Sequence, residues 1–204
     1  MMGSMSADDG ALRPAAGGAL DDAFRETPRG AFLRRSERRR ADHDGPLPIG
    51  EGQTSSQPRT VRAMLELLDV RPGQSVLDVG AGSGWTTALL AHLVGPEGRV
   101  LGVERIPSIA EWGAANLAAV RRPWAELRVA APGVLGAPGD APFDRVLVSA
   151  MADTLPTSLV DQLAPGGRMV VPVAGRMVLV TKGEGGAVET SEHGAYRFVP
   201  LVED

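Results

Sequence analysis

Five residues, Gly80-Ala81-Gly82-Ser83-Gly84, stand between the β-branched run Val76-Leu77-Asp78-Val79 and an apolar run of helical length. Three glycines at a strand-to-helix junction let the backbone turn sharply and approach a ligand that a Cβ would block. The pattern then repeats. Short β-branched runs at 75–80, 99–104, 126–130, 144–150 and 168–173 alternate with helical stretches at 84–94, 108–120 and 155–163. Such alternation predicts right-handed crossovers and a parallel sheet covered by helices. Two further runs, 176–182 and 196–201, follow with only turn residues between them and predict antiparallel closing strands. The expected fold is α/β: a Rossmann-like, doubly wound mixed sheet of seven strands with helices on both faces.

Composition narrows the class. The chain has 204 residues, enough for one domain with a real core. Its charge is mildly negative, with 21 Lys+Arg against 25 Asp+Glu, which argues against a nucleic-acid partner held by bulk positive field. Cysteine is absent, so there is no disulfide, thiolate zinc site or Cys nucleophile, and a reducing, cytoplasmic setting is expected. No apolar stretch nears the roughly 20 residues of a membrane span, and MMGSMSADDGALRPAAGG forms no signal-peptide core. Residues 1–20 read as a flexible tail. Residues 21–204 read as one domain, with an N-terminal helix and loop over 21–57 and a Rossmann-like core over 58–204. The basic run at 33–40 reads as a solvated helix face. Val61, Met64, Leu65 and Leu68 predict one helical face after Pro58.

The strand Val100-Leu101-Gly102-Val103 ends in Glu104, twenty residues beyond Gly84. An acid there can accept hydrogen bonds from both hydroxyls of a ribose. A dinucleotide fingerprint wants a third glycine where this chain has Trp85. The G-x-G-x-G spacing favours S-adenosyl-L-methionine, which has no pyrophosphate to seat.

Upstream lies Pro46-Leu-Pro-Ile-Gly-Glu-Gly-Gln-Thr-Ser-Ser-Gln-Pro58, a loop with more small polar side chains than one helix cap needs. This stretch resembles the P-L-P-I-G-x-G-Q-T-x-S-Q-P signature of the protein-L-isoaspartate (D-aspartate) O-methyltransferases. The likeness continues in Ala23–Arg29, the glycine turn, Val103-Glu104-Arg105, the 144–150 and 163–168 blocks, and Tyr196-Arg-Phe-Val-Pro-Leu201, over roughly residues 21–202. The resemblance implies a class I methyltransferase acting on isoaspartyl residues. It assigns catalysis to Ser56 and Thr54, and donor binding to Gln53, Thr54, Ser55, Ser56, Asp78, Gly80, Ala81, Gly82, Ser83, Gly84, Glu104, Arg105 and Ala131. The chain departs from the pattern at Glu51 and Ser55, at Ala130-Ala131-Pro132-Gly133, where the family carries an acid toward the adenine amine, and at Ala174-Gly175-Arg176.

Methyl transfer to a carboxylate needs no strong base, because the acceptor is ionised at pH 7. Alignment and an apolar enclosure suffice, and hydroxyls at 54–56 suit that task. His43, His92 and His193 form no nucleophile-elbow triad, and three histidines without cysteine argue against zinc. The expected partner is a protein or peptide bearing isoaspartate, with no membrane involved. The residues leave two other readings open: an aspartyl methyltransferase that tailors a biosynthetic peptide, and a binding module without turnover.

Overall fold

The structure, a computed structural model, describes residues 16–202. Its elements are α1 (Ala16–Glu26), 3-10 turns at Arg29–Phe32 and Arg38–Arg40, β1 (Leu47–Gly50), β2 (Gln53–Ser55), α2 (Pro58–Leu68), β3 (Ser75–Val79), α3 (Trp85–Val94), β4 (Arg99–Glu104), α4 (Pro107–Ala119), β5 (Ala125–Val129), a 3-10 turn at Pro138–Asp140, β6 (Phe143–Val148), α5 (Thr157–Asp161), β7 (Leu163–Val173), β8 (Arg176–Lys182) and β9 (Val188–Ala195).

One seven-stranded sheet runs β5-β4-β3-β6-β7-β8-β9. The first five are parallel, and β8 and β9 add antiparallel ladders. Strand order reverses between β3 and β6, so their C-terminal ends open a crevice of the kind where doubly wound folds hold ligands. Alternation along β3 decides what faces what. Val76 joins a core cluster with Val61, Met64, Leu68, Leu89 and Leu90, while Leu77 and Val79 join the opposite cluster with Phe143, Val146 and Leu159. α1 to α4 contribute to the first cluster, and α5 to the second. Among the described residues no helix is long and apolar enough to cross a membrane.

Four expectations change. The seventh strand is not 196–201 but β9, whose sequence VETSEHGA is almost wholly exposed. An edge strand wet on both faces needs only the β8 backbone, so it leaves no apolar pattern to read. The 196–201 run instead crosses the strand ends: Met151 N–H donates to Val199 O at 2.8 Å and Leu201 N–H to Met151 O at 2.7 Å. Residues 47–55 are a two-stranded hairpin rather than an open loop, turning through Glu51 and Gly52 at φ 51° and 71°. The expected tail lies largely outside the described residues, and the chain is already helical from Ala16. The basic run is a turn ending in a single 3-10 turn, Arg38–Arg40, rather than a continuous helix face.

The glycine turn is packed from below by α4. A Cβ on Gly113 would overlap the Gly82 carbonyl oxygen, and Asn116 Nδ2 donates to Ser83 O at 3.0 Å. Alanine within a helix normally gains stability over glycine. Here overpacking dominates, and Gly113→Ala should lower unfolding free energy by about 1–3 kcal/mol, measured by urea denaturation.

Candidate active site

The turn between β3 and α3 is preorganised by backbone and by two acids. Gly80, Gly82 and Gly84 all have positive φ, at 76°, 53° and 82°. The Gly80 and Ala81 N–H groups donate to Val103 O at 2.9 and 3.1 Å, tying the turn to the end of β4. One residue on, buried Glu104 accepts from Gly82 N–H through Oε2 at 3.1 Å and from Ile106 N–H through Oε1 at 2.9 Å. Asp78 faces α3, where Oδ2 accepts from the Thr86 and Thr87 hydroxyls, both at 2.7 Å. It is fully buried and Oδ1 has no hydrogen-bond donor. Burial pushes its carboxyl up to about 6, against the two threonine bonds that favour ionisation.

The hairpin is held over this turn from the N-terminal side. Buried Arg29 spreads its guanidinium over five groups: Nε to Ser55 Oγ at 3.2 Å, Nη2 to Gly45 O and Ser55 O at 2.9 Å each, and Nη1 to His43 O at 2.9 Å and Ala41 O at 3.4 Å. Burial draws this guanidinium down to about 10, and it lies 5.5 Å from the Trp85 ring centroid. Arg34 Nε donates to Ile49 O at 2.8 Å while its guanidinium stacks 3.7 Å from the Trp112 ring centroid. Two arginines thus fasten β1 and β2 to α3 and α4.

Under the hairpin runs a cleft of about 540 Å³, lined by the ends of β3, β4, β5 and β6. A second cavity of about 450 Å³ adjoins it, and Thr54, Ser56, Ser149 and Val199 line both. Of the residues singled out in the sequence, Gln53, Thr54, Ser55, Ser56, Gly80, Ala81, Gly82, Ser83, Glu104, Arg105 and Ala131 meet on the cleft wall. Asp78 and Gly84 do not line it. Asp78 stands behind the turn, and Gly84 is the N-cap of α3, where a Cβ would press on Gly113 O at 2.8 Å. Ser55 touches the wall, but its hydroxyl is taken by Arg29. The capping alternative for 54–56 fails, since α2 is capped at Gln57 without a side-chain hydrogen bond. The Ser56 hydroxyl makes no hydrogen bond among the described residues. Sequence reading missed Arg29 and Arg34 as anchors, and the 199–202 segment as a wall of the cleft.

A Rossmann-like sheet with a crevice at its switch point, a glycine turn and an acid closing the next strand define a class I methyltransferase architecture. The protein-L-isoaspartate (D-aspartate) O-methyltransferase family model matches residues 15–204. A Methanopyrus kandleri protein-L-isoaspartate O-methyltransferase is 46% identical over 185 residues, covering 89% of this chain and 82% of that protein. An Aeropyrum pernix enzyme of the same name is 45% identical over 185 residues, covering 89% and 71%. A solved protein-L-isoaspartate O-methyltransferase superposes with a TM-score of 0.81 at 26% identity, covering 90% of this chain and 61% of that one. A Plasmodium falciparum chain solved with S-adenosyl-L-homocysteine shares the fold, with a TM-score of 0.75 at 22% identity and 91% coverage of both chains. The chain belongs to the protein-L-isoaspartate (D-aspartate) O-methyltransferase family.

The Asp78 environment has a measurable consequence. The folded protein holds this proton up to about pH 6, whereas the unfolded chain releases it near pH 4. The Asp78 contribution therefore makes stability fall as pH rises from 4 to 6, by about 3 kcal/mol, and levels off above. Asp78→Asn should remove that component from urea-denaturation free energies measured at pH 4, 5, 6 and 7.

Proposed function

We propose that this protein is an S-adenosyl-L-methionine-dependent carboxyl O-methyltransferase that esterifies L-isoaspartyl residues of proteins and peptides and so starts their repair through a succinimide. The observation that carries the mechanism is Ser56, whose unengaged hydroxyl stands where the two cavities meet.

The larger cleft fits the donor. Its glycine turn gives close backbone access, and Glu104 retains acceptor capacity for ribose hydroxyls. When bound, S-adenosyl-L-methionine supplies a methyl group on a positively charged sulfur. In this reading Gly80 to Ser83, Glu104, Arg105 and Ala131 hold the donor, and Gln53 to Ser56 cover it.

The smaller cavity fits the acceptor. Its charged wall residues are Arg59 and Arg197, and no carboxylate lines it. Arg59 is paired with Asp44 at 3.2 Å and Arg197 adds a second positive group, so an anionic acceptor meets no carboxylate on this wall. No described histidine lines either cavity, and none is needed. A carboxylate is already the nucleophile at neutral pH, so Ser56 and Thr54 act by donating hydrogen bonds that orient it.

The test is the initial rate of methyl transfer from labelled donor to an isoaspartyl peptide and to its aspartyl isomer. Strong preference for the isoaspartyl peptide is expected. Preference for the aspartyl isomer would favour peptide tailoring, and donor binding without transfer to either would favour a binding module. Ser56→Ala should slow transfer by roughly 10–10³-fold while S-adenosyl-L-homocysteine affinity, read by calorimetry, stays nearly unchanged. A new pH dependence near neutrality in this variant would contradict the orienting role. Glu104→Ala should do the reverse, weakening donor binding by about 1–3 kcal/mol.

A further inference from the structure

The donor cleft changes character along its length. Near the glycine turn polar side chains, Ser83, Thr86 and the Glu104 carboxylate, stand among apolar ones such as Ile49, Val79 and Trp85. Beyond Glu104, Arg105 aside, the lining side chains are apolar, among them Ile106, Val129, Ala131, Val134 and Leu135. Val129 and Val134 keep 42% and 38% of their surface exposed, and they are two of the three large apolar residues left exposed among those described. The third, Val188, lies on β9, away from the cleft.

Sheet order assigns each zone a part of the ligand. β3, β4 and β5 are successive neighbours, so the turn, Glu104 and the 130–135 loop follow one another at the strand spacing of about 4.8 Å. A ligand whose ribose lies at Glu104 then places its base against Val129 to Leu135. Glu104 is the only carboxylate among the residues lining the cleft, and both its oxygens already hold backbone N–H groups. Polar backbone at the far end is partly engaged as well. Ala130 N–H donates to Glu104 O at 2.9 Å, and Ala131 O accepts from Val134 N–H at 3.1 Å.

We propose that this enzyme recognises the donor's nucleobase by apolar contact and does not select for its exocyclic amine, with Ala131 as the residue that sets this tolerance. The inference rests on the donor-cleft assignment above. An apolar wall discriminates weakly between ligands of one shape, whereas a site built to hydrogen-bond a polar group rejects the analogue that lacks it by several orders of magnitude.

Calorimetry with S-adenosyl-L-homocysteine and its purine analogue, in which hydrogen replaces the 6-amino group, tests this directly on the full chain. The two dissociation constants should differ by less than about tenfold. A loss of tenfold or more for the analogue would overturn the proposal while leaving the methyltransferase reading intact. Ala131→Asp, at an exposed position, should widen the ratio at least several-fold by giving the amine an acceptor. An unchanged ratio in that variant would remove Ala131 from the base site and overturn the assignment. Failure of the wild-type protein to bind S-adenosyl-L-homocysteine at all would overturn both readings.

Discussion

Both oxygens of the Glu104 carboxylate are engaged, one by the Gly82 N–H of the glycine turn and the other by the Ile106 N–H at the start of α4. Through these bonds one buried side chain fixes the two loops that frame the cleft floor. α4 then braces the turn from beneath, and the closeness of Gly113 to Gly82 leaves no room for even a methyl group. The floor is therefore rigid before any ligand arrives. Rigidity of this kind is what an alignment-driven reaction requires, since a displaced reactant loses rate even when every contact group is present.

The roof has a different origin. β1 and β2 make too small a sheet to stand alone, and a two-stranded hairpin is marginal in water. Arg29 and Arg34 hold it through carbonyl oxygens of the 43–45 loop, Ile49 and Ser55. Burying a guanidinium is costly, and here its donors are spread over several carbonyls and one hydroxyl, with an aromatic face alongside. The anchor on Ser55 leaves its neighbour Ser56 free to face the junction of the two cavities.

Much of this was legible in the chain. The parallel core was readable because β3, β4 and β6 are buried on both faces and so appear as continuous apolar runs. The cleft floor was readable because a glycine turn and an acid at the next strand end have a fixed spacing. β9 was not, because an exposed edge strand has no apolar side to mark it. Tyr196 and Phe198 misled for the opposite reason: both pack against the core, yet from a segment that crosses the strand ends. The anchoring role of Arg29 was hidden because its partners are mostly backbone carbonyls 12 to 26 residues away, which no side-chain pattern records.

In the proposed function two cavities, one for the donor and one for the acceptor carboxylate, meet at Ser56. A crystal structure with S-adenosyl-L-homocysteine bound tests it most directly. Ribose hydroxyls are expected within hydrogen-bonding distance of Glu104, with the sulfur facing the second cavity beside Ser56 and Thr54. A ligand seated in the same cleft with its sulfur turned away from Ser56, or one that leaves Glu104 uncontacted, would contradict it.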